Sequence, residues 1–197
     1  MGARLACRVL RRVRTQGSNV AAKRAGPRPA ILRGMSQPNF IVSTADVAES
    51  TDRYPNSDED LAACRAIGRA AGLQRIGLHV CRVPPGHRVS YPHAEEDEEE
   101  FVFVLSGQIS AWINGELFAV KTGDLVAFSA GTGICHTFIN DGNHGCVLLV
   151  GGESSKPHNR IYYPNNPERR VDLRPEQWWD DVPNHAMGTH DGKPRGR

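Results

Sequence analysis

Acidic residues are missing from the start of this chain: nine lysines and arginines precede Asp46 without one aspartate or glutamate among them. Nine of the 24 basic residues therefore sit in a leader, which leaves 15 against 22 acids beyond it, so the net charge of +2 conceals an acidic body behind a basic start. Past Asp46 no basic stripe interleaves with aromatics, and an acidic body repels phosphates; no nucleic-acid partner is expected. No stretch approaches the ~20 apolar residues that a membrane-spanning helix needs, so no membrane partner is expected either. Also missing are a G-x-S-x-G elbow, a P-loop and a dinucleotide fingerprint, which removes the commonest hydrolase, nucleotidase and dehydrogenase readings. The five cysteines, Cys7, Cys64, Cys81, Cys135 and Cys146, are odd in number, scattered and without a C-x-x-C pair. Together with the lack of any N-x-S/T acceptor, this predicts a reducing compartment.

What the leader does contain is an arc. On a helical wheel Met1, Leu5, Ala6, Val9, Leu10 and Val13 fall on one side and Arg4, Arg8, Arg11 and Arg14 on the other, with Arg12 at the boundary. Amphipathic, arginine-rich and acid-free describes an organelle transit peptide, most often mitochondrial. The alternatives are a basic tail without structure, or a true start at Met35. Residues 15–38 are rich in Gly, Pro, Ser and Asn without a period and read as linker, so residues 1–38 form the leader and 39–175 the single domain that 197 residues accommodate.

Along the domain, Phe40-Ile-Val42 predicts an edge strand. Ser57-Asp-Glu-Asp60 reads as a helix N-cap with acids in the first turn, followed by Leu61, Cys64, Ile67 and Ala71 at helical spacing and a stop at Gly72. That predicts one short N-terminal helix of three or four turns. From Leu73 the period changes to two. Ile76, Leu78 and Val80 alternate with Gly77, His79 and Cys81, and Asn114-Gly115 between two short runs is the strongest hairpin signal in the chain. Six to eight such strands imply an all-β barrel or jelly roll with its core over 72–152. Arg160-Ile-Tyr-Tyr163 predicts a late edge strand, Trp178-Trp179 a segment docked on the outside, and residues 176–197 a tail whose last dozen positions are without order.

The chemistry concentrates in two stretches. His93 and Glu95, two apart, leave the same face of an extended chain; Glu100 shares a face with Val102 and Val104, and His136 with Phe138 and Asn140. If those faces all point inward, two imidazoles and two carboxylates meet in one barrel. Carboxylates ~4 Å apart repel by roughly 4 kcal/mol at an effective dielectric of ~20, and a divalent ion removes that penalty. Imidazole nitrogen with carboxylate oxygen suits iron, manganese, zinc, nickel or cobalt. Glu95 begins the acid run EEDEEE, so it is either a fourth ligand or a carboxylate of the surrounding loop.

With Gly86, Gly107, Gly123 and Gly131, these residues resemble the paired motifs of the cupin superfamily. Gly86, His93, Glu100 and Gly107 match its first motif, and Gly123, Gly131, His136 and Asn140 its second. Glu95 stands where a second histidine is usual, Ser129 where proline is usual, and two extra residues separate Gly131 from His136. The resemblance covers about residues 72–152. It implies a double-stranded β-helix with a divalent metal ion at His93, Glu95, Glu100 and His136, a small-molecule substrate or ligand, and a homodimer, for which Phe40 to Val42 and Trp178-Trp179 are the candidate interface. For function it implies a metal-dependent enzyme, an oxygen-dependent cleavage ranking slightly above isomerase or lyase chemistry. The alternative is a non-catalytic module that binds a small ligand.

Overall fold

Asn114 and Gly115 take φ of 46° and 87°, the left-handed pair that a two-residue type I′ turn requires. They join β7 (Gln108–Ile113) to β8 (Glu116–Lys121) in unbroken register from Ile113 opposite Glu116 to Gln108 opposite Lys121. The computed structural model describes residues 37–154 and 156–195. The expected transit leader, its arginine arc and the alternative start at Met35 lie outside the described residues.

Two antiparallel sheets build the barrel. The larger carries β1 (Ser50–Thr51), β2 (Ala63–Arg65), β3 (Ile76–Val83), β11 (Cys146–Glu153), β6 (Glu100–Ser106) and β9 (Leu125–Phe128), in that spatial order. The smaller runs β4 (His87–Arg88), β10 (His136–Asn140), β7, β8. A third pair, β5 (Ala94–Glu95) with β12 (Ile161–Tyr162), ties the late edge strand expected at Arg160–Tyr163 to the segment that carries the site. This is the all-β double-stranded β-helix. Its core lies between the sheets: Val83, Val102, Val104 and Leu148 from one side pack with Ile109, Ala111 and Phe138 from the other. The alternation read from the sequence explains the packing, because β6 turns Val102 and Val104 inward and leaves Leu105 exposed.

Four expectations are corrected. The helix of three or four turns is one turn, α1 (Ile67–Ala70). Its expected first half leads into β2, and Ala62, Ala63 and Cys64 are consecutively buried, a pattern that an amphipathic helix cannot provide. Cys64 faces Cys81 across β2 and β3, with Cα atoms 4.0 Å apart, and the two form a disulfide. The scattered cysteines therefore do not all stay reduced, because sheet pairing joins two that the sequence holds 17 residues apart. Phe40-Ile-Val42 forms no strand, and Phe40 and Ile41 are exposed.

The fourth correction concerns the end of the chain. Trp178 and Trp179 are buried in their own chain rather than on an outer interface: Trp178 packs with Tyr91, Ile161 and Tyr163, and Trp179 with Trp112 and Ile139. Nor is the tail without order up to Arg195. Gly188 N–H donates to Asn114 O (2.7 Å), Trp112 Nε1–H to His190 O (2.8 Å) and Arg88 Nη1 to Gly192 O (2.6 Å). Backbone hydrogen bonding to the hairpin tip overrides a composition that reads as a loose end.

Candidate metal centre

Two imidazoles meet because their backbones pair. His93 N–H donates to His136 O (3.2 Å) and His136 N–H to His93 O (2.9 Å), a hydrogen-bonded antiparallel pair whose side chains leave one face of the sheet. The rings lie with centroids 4.8 Å apart. Glu100, which opens β6 on the facing sheet, sends Oε2 to within 3.2 Å of His93 Nε2 and 3.0 Å of His136 Nε2. Those three donor atoms all lie within 4.8 Å of one another.

The far side of each ring fixes its tautomer. His93 Nδ1 lies 2.8 Å from Tyr91 O, and His136 Nδ1 3.4 Å from Ile134 O. A carbonyl only accepts, so each Nδ1 carries the proton. Nε2 can then approach Glu100 in two ways: as an imidazolium that donates, or as a bare nitrogen that shares a cation with the carboxylate. Burial lowers the pKa of His136 and outweighs the bond to Glu100 that would raise it, which favours the second. Burial also works to raise Glu100, and what holds it far below the usual carboxylate range is positive charge at the two Nε2 atoms, which protons on them or a cation in their place would supply. Neutral imidazole and ionised carboxylate are the forms in which these groups bind a divalent ion. Phe128 stacks on His136 with centroids 3.5 Å apart and planes 6° from parallel, which sets the ring's rotation.

Of the four expected ligands the fold brings His93, Glu100 and His136 together, and Glu95 stands beside them rather than among them. Glu95 is 5% exposed; its Oε2 accepts from Asn159 Nδ2, and its Oε1 is buried without a partner. Burial, then the charges of Glu100 and Glu98, push it well above the usual carboxylate range. Burial also pushes Glu98 up to about 7. Glu95, Glu98, Glu100 and His136 line one small cavity, closed on its apolar side by Ala94, Phe128 and Ile134. Three carboxylates around one water-poor space repel unless protons or a cation occupy it, so these residues fit a divalent ion.

Sequence reasoning missed two parts of this site. Two of the six acids in the run EEDEEE are not solvated, since Glu95 and Glu98 are both buried, and a charge run gives no sign of that. Asn159 is fully buried and reaches back 64 residues to Glu95 from a stretch without periodicity, so no sequence signal marks it. Other polar side chains near these segments make contacts of their own. His79 lines a separate cleft with Arg69 and Leu73, His87 contacts Pro85 O (3.0 Å), and Tyr91 stacks on Tyr54. Arg88 is buried and held by both oxygens of Glu59, at 2.7 and 2.6 Å.

Residues 79–152 match the cupin domain family. No curated protein matches the chain. Among solved structures, a sugar phosphate isomerase of the cupin superfamily from Silicibacter pomeroyi is 27% identical, covering 62% of this chain and 80% of that one, with a TM-score of 0.59. A protein from Acidithiobacillus ferrooxidans with the same assignment, given provisionally, is 25% identical over 65% of this chain and 83% of its own, with a TM-score of 0.60. The polyketide cyclase RemF from Streptomyces resistomycificus, at 21% identity and a TM-score of 0.52 over 71% of this chain and 98% of its own, shares the fold alone. Facing sheets, the paired motifs and the family match lead to one conclusion: residues 79–152 form a cupin domain.

Proposed function

We propose that the chain is a metal-dependent enzyme acting on a small organic molecule, with a mononuclear site held by His93, Glu100 and His136. The observation that carries this reading is the convergence of two Nε2 atoms on one carboxylate oxygen, with both Nδ1 atoms committed to carbonyls. A bound divalent ion supplies Lewis acidity and a template for substrate oxygens. The chain's own residues do the rest. Tyr91 O and Ile134 O keep Nε2 bare, Phe128 holds His136 in plane, and Ala94, Phe128 and Ile134 keep bulk water from the carboxylates.

Two imidazoles with one carboxylate is the donor set of non-haem iron(II) oxygenases, which supports oxygen-dependent cleavage as the first reaction class. Sugar-phosphate isomerisation is the second reading, favoured by the relatives at 25% and 27% identity. Against it, the cations around the site are engaged: Arg88 by Glu59, Arg160 by Glu96 and Asp181, and Lys156 by Glu153. A phosphate would have to break one of these pairs. The same proposal includes import of the chain into mitochondria by its leader; sequencing the N-terminus of protein recovered from the organelle tests that part.

The deciding experiment loads the purified protein anaerobically with iron(II), manganese(II) or cobalt(II) and measures metal per chain, then oxygen uptake with a panel of small carbonyl and diol compounds. Hydrogen exchange of aldose and ketose phosphates in heavy water is followed in parallel. Iron-dependent oxygen uptake supports the first class and carbon-bound deuterium the second. Protein that binds no metal but still takes up a small ligand would establish the non-catalytic module instead.

A further inference from the structure

Asn159 lies seven residues beyond the matched cupin region, in the turn before β12, and is fully buried against the site. Its two amide atoms do different things. Oδ1 accepts the Asp97 backbone N–H at 2.9 Å. Because an N–H can only donate, that contact fixes the amide's orientation and turns Nδ2, a pure donor, towards Glu95 Oε2. The backbone around both residues is clamped as well: Glu96 N–H donates to Arg160 O (2.9 Å), and Ile161 pairs with Glu95 in the β5/β12 ladder. One oxygen of Glu95 is thus committed to the scaffold. The other, Oε1, is left buried and unpartnered on a residue that lines the same cavity as Glu100 and His136. Buried polar atoms are rarely left so.

We infer that Asn159 is a positioning residue for the metal centre: by holding Glu95 Oε2 it presents Oε1 as an additional oxygen donor, so a segment outside the cupin motifs completes the ligand set. This rests on the metal-centre reading above.

The test is a double-mutant cycle on the full chain with cobalt(II) as the probe, read as affinity and as the visible d–d spectrum. Outer partners of metal ligands typically contribute 10- to 100-fold in affinity. Asn159→Ala is expected to weaken cobalt binding about 10-fold and to alter the spectrum. Glu95→Gln should do the same, and the double variant should bind no more weakly than the weaker single one. Asn159→Leu, which keeps the side-chain volume, carries the test if the alanine variant does not fold. Wild-type affinity and spectrum in the Asn159 variants, tighter binding, or losses that multiply in the double variant would each overturn the inference while leaving the metal centre standing. A wild-type protein that takes up no cobalt overturns the metal centre and this inference together.

Discussion

His93 and His136 are each other's backbone hydrogen-bond partners, in both directions, at 3.2 and 2.9 Å. The distance between the two imidazoles is therefore set by sheet geometry, not by side-chain choice, and Glu100 on the opposite sheet is the variable part. What fixes Glu100 is the strand beside it.

Gly152 sits opposite Glu100 in the β11/β6 ladder. A Cβ there would lie 2.7 Å from Glu99 O and 3.2 Å from Glu100 Cγ, so Gly152→Ala must push the backbone that aims Glu100. The expected outcome is a loss of about 1–3 kcal/mol in stability together with at least a 10-fold loss of cobalt affinity. Gly151→Ala, whose Cβ would meet the Phe101 ring instead, should lose stability without a comparable loss of affinity. Denaturant melts and metal titration on both variants check the contrast.

The Cys64–Cys81 disulfide closes a separation of 17 residues. Removing it with the double change Cys64→Ser and Cys81→Ser should lower stability by about 3 kcal/mol, measured by urea unfolding. The same loss should follow when the wild-type protein is unfolded under reducing conditions. Cys135 and Cys146 are buried and free, and burial pushes their thiols up to about 12 and about 11, so neither should react quickly with a thiol reagent in the folded state.

Burial raises the Asp52 carboxyl to about 6, and its Oδ1 has no hydrogen-bond partner. Below about pH 4 both the folded and unfolded chains hold this proton, so it contributes nothing to the balance. As pH rises from about 4 to about 6 the unfolded chain ionises first, and the native state is progressively penalised; above about 6 the penalty is complete. Asp52→Asn should therefore be more stable than wild type near pH 8 and indistinguishable from it near pH 4, in paired thermal melts.

Ending the chain at Asn184 removes the bonds from Gly188 to Asn114, Trp112 to His190 and Arg88 to Gly192. At roughly 1 kcal/mol for each, the truncated protein should lose about 3 kcal/mol, read from urea melts, with faster amide exchange at the β7/β8 turn.

Much of this was legible in the residues. The Asn114-Gly115 hairpin, the inward face of Val102 and Val104, and the late strand at Ile161 follow from turn chemistry and period, which are local. The helix expected from Ser57 to Gly72 failed for the complementary reason. Its cap signal and spacing are local too, but Cys64 pairs with Cys81 on β3, and that distant partner won. That Trp178 and Trp179 dock follows from the cost of leaving two adjacent indoles wet, but which residues cover them, Tyr91, Ile161 and Trp112, depends on segments far away in the chain.

By itself the sequence determined which atoms are available for the site: His93, Glu95, Glu100 and His136 at spacings that turn each to one face of a strand. The tertiary structure alone decided how they divide. Cross-strand pairing set His93 against His136, the facing sheet delivered Glu100 between them, and Asn159 drew one oxygen of Glu95 aside. Periodicity fixes the face a side chain leaves from, because that depends on the backbone of its own strand. Which group it meets depends on strand order and on segments more than sixty residues away, and no local pattern carries that information.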